Sequence, residues 1–161
     1  MNRKRKKSVR LQIEDSSLMM DSELVPSSLA EIAPILRAAN CIQEENPRVA
    51  YLCRFHAFEK AHSMDPTSGR RGARQFKTKL LHRLEKVHLK EEEETIRQLA
   101  RNDPREIQLY YQIFCENYIN KVAHTKKLDE MAKIWQIATI LYDVVKTVVP
   151  SAKIDDKVRF V

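Results

Sequence analysis

Apolar residues recur every three or four positions along most of this chain, which is the period of an amphipathic helix, and proline and glycine signals divide the runs. After Pro26, a first stripe comprises Ile35, Leu36, Ala39 and Ile42. Ser28 and Glu31 have capping-box spacing, but Pro34 would clash inside a helix. The segment therefore either kinks at Pro34 or starts near Ile32 with Pro34 in its first turn. The next start is cleaner: Asn46 caps, Pro47 fills the first helical position, and the helix is expected to reach about Met64. A turn at Asp65-Pro66-Thr67-Ser68-Gly69 precedes a third helix from about Arg71, with Ala73, Phe76, Leu80, Leu84 and Val87 on one side. Asp103, Pro104 and Glu106 repeat the cap signal and predict a fresh helix whose stripe is Ile107, Tyr110, Tyr111, Phe114 and Tyr118, ending near His124. The last helix, about Leu128 to Val148, is apolar on two sides. One carries Met131, Ile134, Trp135, Ala138, Leu141, Tyr142, Val145 and Val148, and the other Ile137, Ile140 and Val144. Such a helix belongs in the middle of a bundle. Trp135 is accordingly expected in the core, where truncation to Ala would cost about 3 to 5 kcal/mol.

With only 2 Gly and 6 Pro in 161 residues there is little material for tight β-turns, so the chain reads as all-α. The length suffices for a core in one domain or two small ones. Residues 1–25, charged, rich in serine and without a period, read as a flexible tail, and 26–100 and 101–161 as two helical units. No window approaches the apolar length of a membrane span, and the basic start lacks the apolar stretch of a secretory signal, so a cytosolic location is expected.

The net charge is +7, and residues 1–25 hold six Lys/Arg against four acids. Arg3, Lys4, Arg5, Lys6 and Lys7 form a cationic cluster that reads first as a solvated tail. Its alternatives are a nuclear signal, a nucleic-acid arm or contact with an anionic membrane surface. Glu91 to Glu94 read as a solvated face, with Lys90 and Glu94 able to pair one turn apart.

The segment VAYLCRFHAFEKA raises the question of a metal site built from Cys53, His56 and His62. On a helix His56 lies roughly 300° and His62 roughly 180° round from Cys53, directions that do not converge on one ion; His82 and His88 diverge likewise. Cys41, Cys53 and Cys115 lie far apart, without a C-x-x-C pair, and read as reduced thiols. A nucleophile elbow, a phosphate-cradling glycine loop and H-E-x-x-H are missing from the sequence, so no catalytic, cofactor-binding or metal residue is assigned and the chain is read as non-catalytic. The aromatics sit at core spacing without the interleaved cations of a base-stacking platform, which disfavours nucleic acid as a partner.

Three strings, NPRVAYLCRFHAFEKAHSMDPTSGRRGARQFKTKLLHRLE, NDPREIQLYYQIFCENYI and MAKIWQIATILYDVVKTVVPSAKIDD, closely resemble the N-terminal domain of plant callose synthases. That domain is similar to the N-terminal domain of the adaptor that activates the AAA ATPase disassembling ESCRT filaments. The resemblance covers about Val25 to Asp156 and implies tandem MIT-like three-helix bundles. Segments 29–45, 47–64 and 71–90 would form the first, and helices at about 104–122 and 128–148 would belong to the second. In the family a further helix follows Ile154-Asp155-Asp156, where this sequence departs. The second bundle is thus expected to lack its last helix, to expose an apolar patch and to self-associate or loosen. Val87-His88-Leu89-Lys90 resembles an insertion, expected to lengthen the third helix by little more than a turn. The resemblance further implies a regulatory, protein-binding region on the cytoplasmic face of a plasma-membrane 1,3-β-glucan synthase that uses UDP-glucose. Its partners would be amphipathic helical tails, of ESCRT filament subunits or of callose synthase complex components, held in bundle grooves. An ESCRT-type adaptor in endosomal membrane trafficking is the other reading.

Overall fold

A computed structural model describes residues 24–120, 124, 127–150 and 153–154, so the cationic cluster at 3–7 and the residues beyond Ile154 lie outside it. Every regular element among the described residues is helical. A 3₁₀ turn (Ser27–Ile32) leads into α1 (Ala33–Ile42), α2 (Pro47–Met64), α3 (Ala73–Lys86), α4 (Glu93–Phe114), a π-helical turn (Cys115–Ile119) and α5 (Leu128–Val148). α5 lies along α4 and also packs against α1 and α2, while α3 packs mainly on α2. Leu36, Ile42, Val49, Cys53, Ile107, Leu141, Val144 and Val145 are fully buried in one contiguous core. Residue 100 falls inside α4, and both sides of it contribute to that core.

The α1 and α2 starts follow local chemistry. Pro34 sits in the first turn of α1. Ser28 does not cap: its hydroxyl donates to the Arg71 carbonyl at 3.1 Å, tying the 3₁₀ turn to the loop before α3. Asn46 caps α2 as expected, its Oδ1 accepting from the Val49 N–H at 3.1 Å, with Pro47 first in the helix. Asp65 closes the following loop by accepting from the Gly69 and Arg70 N–H groups at 3.0 and 2.9 Å. Gly72, at φ +77°, opens α3; a Cβ there would stand 3.2 Å from Pro26 Cβ.

Two expectations fail, each for an identifiable reason. α4 does not begin at Asp103 but runs through Pro104 from Glu93. The Asp103 carboxylate instead accepts two hydrogen bonds from Arg48 Nε and Nη2, both 2.7 Å, and Glu106 Oε1 accepts from Asn46 Nδ2 at 2.8 Å. A largely buried guanidinium needs a counter-charge more than a helix start needs a cap. Glu93 and Glu94 lie in the first turn of α4, where carboxylates suit the helix dipole, and they pair with Arg97 at 2.7 and 3.9 Å rather than with Lys90.

The insertion also behaves otherwise than expected: α3 stops at Lys86, and residues 87–90 form tight turns. Val87 therefore leaves the apolar stripe and is 52% exposed. His88 turns inward instead, its ring meeting Tyr51 edge-on at 4.9 Å.

Pro104 withholds an amide from the ladder inside α4, so Pro104→Ala should stabilise the fold by about 1 to 3 kcal/mol in denaturant unfolding. A loss of stability would restore Asp103 as the start of the helix. Asp103→Ala strands the Arg48 cation and should cost about 3 kcal/mol.

Candidate protein-interaction site

The segment that suggested metal ligation points its side chains in different directions. Cys53 is fully buried in the core, His56 is half-buried and His62 is exposed. Burial pushes the Cys53 thiol up to about 12, so it packs as a small neutral group. His82 stands in solvent 3.8 Å from Glu85, away from the inward-turned His88.

Arg54, between Cys53 and Phe55, carries a role that the sequence reading missed. It is buried, and its Nη1 and Nη2 donate to Gln43 Oε1 and to Asn40 Oδ1 at the end of α1. A cation at that end complements the helix dipole, although burial lowers the Arg54 pKa to about 10. Sequence offered no signal for this, because an arginine within an apolar run is read as solvated by default.

Where α1, α2 and α5 converge, Glu31, Ile35, His56, Lys60, Thr139 and Asp143 help to line a cleft of about 320 Å³. The His56 Nδ1 atom is buried without a hydrogen-bond partner among the described residues. Burial holds the His56 pKa below its ordinary value; Asp143 and Glu59 oppose the shift, while Lys60 and Lys146 reinforce it.

The aromatics divide. Tyr110, Tyr111 and Phe114 are core residues, and Tyr110 donates its hydroxyl to Glu45 Oε2 at 3.0 Å. Trp135, expected in the core, is 48% exposed. The correction follows from helical phase. The buried residues of α5 are Ile137, Ala138, Ile140, Leu141, Val144 and Val145, and Trp135 lies roughly 140° round the helix from their centre. Position along the helix adds to this, since none of residues 127–136 is buried.

Leu128, Met131, Trp135 and Tyr142 thus fall within roughly 60° of one another, forming one apolar row on the outside of α5. Leu128 is 77% exposed, Met131 and Tyr142 are half-buried, and the Tyr142 ring meets Tyr111 of α4 with centroids 5.8 Å apart. Lys146 Nζ lies 4.9 Å over the other end of the row, at Tyr142. The result is an exposed apolar row on the outside of α5 that touches α4 where Tyr142 meets Tyr111.

Comparison with known proteins gives this geometry its context. Residues 31–161 match the family described as Vta1 like. The chain belongs to the Vta1-like family. This Vta1-like chain is 68% identical over 146 residues to putative callose synthase 6 of Arabidopsis thaliana, an alignment covering 91% of the chain and 7% of that relative. It is 62% identical over 160 residues to callose synthase 7 of the same plant, covering 98% and 8%, and 51% identical over 131 residues to callose synthase 3, covering 80% and 6%. The Vta1-like chain thus spans less than a tenth of the length of these curated relatives. No solved structure matches it significantly. Among the described residues, no helix is long and apolar enough to cross a membrane.

Two histidines make stability sensitive to acid. Burial lowers the pKa of both His56 and His88 in the fold, so on acidification the unfolded chain takes up protons before the folded one does. Their contribution should be complete above the unfolded value near 6.5 and should decline below it. Thermal unfolding between pH 7 and 5.5 should show this decline, and the His56→Gln/His88→Gln double variant should flatten it.

Proposed function

We propose that this chain is the non-catalytic N-terminal regulatory and protein-interaction region of a callose synthase, a 1,3-β-glucan synthase using UDP-glucose, lying on the cytoplasmic face of the plasma membrane. The observation carrying this reading is the exposed row Leu128, Met131, Trp135 and Tyr142 beside α4, in a chain that shares 68% of aligned residues with a callose synthase. A half-exposed tryptophan flanked by apolar neighbours is a typical binding anchor, because the large ring is desolvated only when a partner arrives. The partner would be an amphipathic helix whose apolar residues recur every three or four positions, from an ESCRT filament subunit or from another component of a callose synthase complex. Cys53 is no candidate nucleophile, since burial holds its thiol neutral and a nucleophile needs the thiolate.

The Vta1-like match favours a second reading, an ESCRT-type adaptor in endosomal membrane trafficking. The coding sequence that follows Val161 separates the two: membrane spans and a glycosyltransferase domain there would carry the first reading, and an early stop codon would favour the adaptor.

Trp135→Ala tests the row directly. Since the ring is only half-buried, the substitution should change stability by less than about 1 kcal/mol. It should nevertheless weaken helix capture at least tenfold, read as the recovery of partners from plant plasma-membrane extract. An unchanged partner set would defeat the reading, and a stability loss of about 3 to 5 kcal/mol would return Trp135 to the core.

A further inference from the structure

The charge of the chain is concentrated in one place. Residues 70–90 hold eight Lys/Arg and a single acid, Glu85, a net of +7 that equals the net charge of all 161 residues. The rest of the chain balances to zero, the cationic stretch at 3–7 included, since acids elsewhere offset it.

The fold places this charge on the outside. α3 turns Ala73, Phe76, Leu80 and Leu84 toward α2, together with Lys77, whose Nζ donates to the Asp65 carbonyl. Arg70, Arg71, Arg74, Lys79, Lys86 and Lys90 remain exposed, and none of them is held in a side-chain ion pair with a carboxylate among the described residues. The one acid, Glu85, stands beside His82. Apolar side chains are exposed within the same stretch: Leu81 is 40% exposed, Val87 52% and Leu89 75%. Leu89 projects from the turns that end α3.

Cations alone would suit any polyanion. Cations with exposed leucine and valine suit a lipid interface, where the charges meet headgroups and the apolar tips enter the boundary with the acyl chains. Nucleic acid would leave those tips uncovered, and α3 carries no exposed Phe, Tyr or Trp on which a base could stack. A helical partner of acidic character needs a furrow, whereas α3 is an outer helix with a convex face.

We propose that α3 and its flanking turns dock on an anionic lipid surface, with Arg74, Lys79 and Lys86 meeting the headgroups and Val87 and Leu89 inserting at the interface. This surface is separate from the apolar row on α5, so lipid and helix would bind the chain together.

The test is co-sedimentation of the full chain with phosphatidylcholine vesicles, with and without phosphatidylserine, alongside competition by a single-stranded RNA. Wild type should bind only the phosphatidylserine vesicles and release as salt rises. Each cation near such a surface contributes about fivefold, so Arg74→Gln/Lys79→Gln/Lys86→Gln should bind about a hundredfold more weakly. Leu89→Ser should weaken binding while leaving its salt dependence intact. The charge-matched variant Arg97→Gln/Lys127→Gln/Lys133→Gln, placed on α4, at the cap of α5 and on α5, should bind within about threefold of wild type, as should replacement of Arg3, Lys4, Arg5, Lys6 and Lys7 by serine. Circular dichroism confirms that each variant is folded. The proposal is overturned if neither vesicle binds, if the α4–α5 variant loses as much as the α3 variant, or if serine at positions 3–7 abolishes binding. Displacement of the vesicles by RNA, with Leu89→Ser without effect, would assign the face to nucleic acid and overturn it equally.

Discussion

The fold depends on burying the second half of α5. Leu141, Val144 and Val145 are sealed on more than one side, which requires α4 on one flank and α1 and α2 on another. A helix apolar on two sides cannot be satisfied by a single neighbour, so this segment fixes the arrangement of three others. The same requirement defines where α5 is left uncovered. Every buried residue of α5 lies at Ile137 or beyond and none before it, and the apolar row continues across that boundary from Tyr142 to Trp135 and Leu128. One helix thus supplies both the centre of the core and the exposed apolar row.

Electrostatics sets the second constraint. Arg48 and Asp103, 55 residues apart in sequence, meet through two short hydrogen bonds across the α2–α4 contact. The guanidinium also lies 4.5 Å from the Tyr51 ring centroid, and Tyr51 in turn holds His88. The turns after α3 are therefore anchored through a chain of side chains to the ion pair. Arg48 thus stands in contact with α4 on one side and, through Tyr51, with those turns on the other.

Much of the architecture was legible in the sequence, and the parts that were not share a cause. Asn46-Pro47 marked a real helix start because cap and proline act within one turn, and Ile35, Leu36, Ala39 and Ile42 were correctly read as buried because three- and four-residue spacing is itself a statement about a face. Asp103-Pro104 carried the same local signal and misled, since a partner 55 residues away claimed the carboxylate. Trp135 was misplaced because an apolar stripe says nothing of whether a neighbour extends far enough to cover it. Arg54 and the Val87–Lys90 turns escaped for the same reason: what decides their state lies elsewhere in the chain. The charge on α3 was visible by counting, but averaging over the long remainder of the chain concealed it.

Asn46 carries two duties with one side chain. Its carbonyl oxygen receives Val49 N–H while its amino group reaches Glu106. Aspartate at this position would cap the helix equally well yet repel that glutamate, and serine would cap it but fall short of the second contact. Only a carboxamide offers opposite polarities at two atoms on one short stem. The joint between α1 and α2 is thereby coupled to α4, so that the start of one helix and the seating of another stand or fall together.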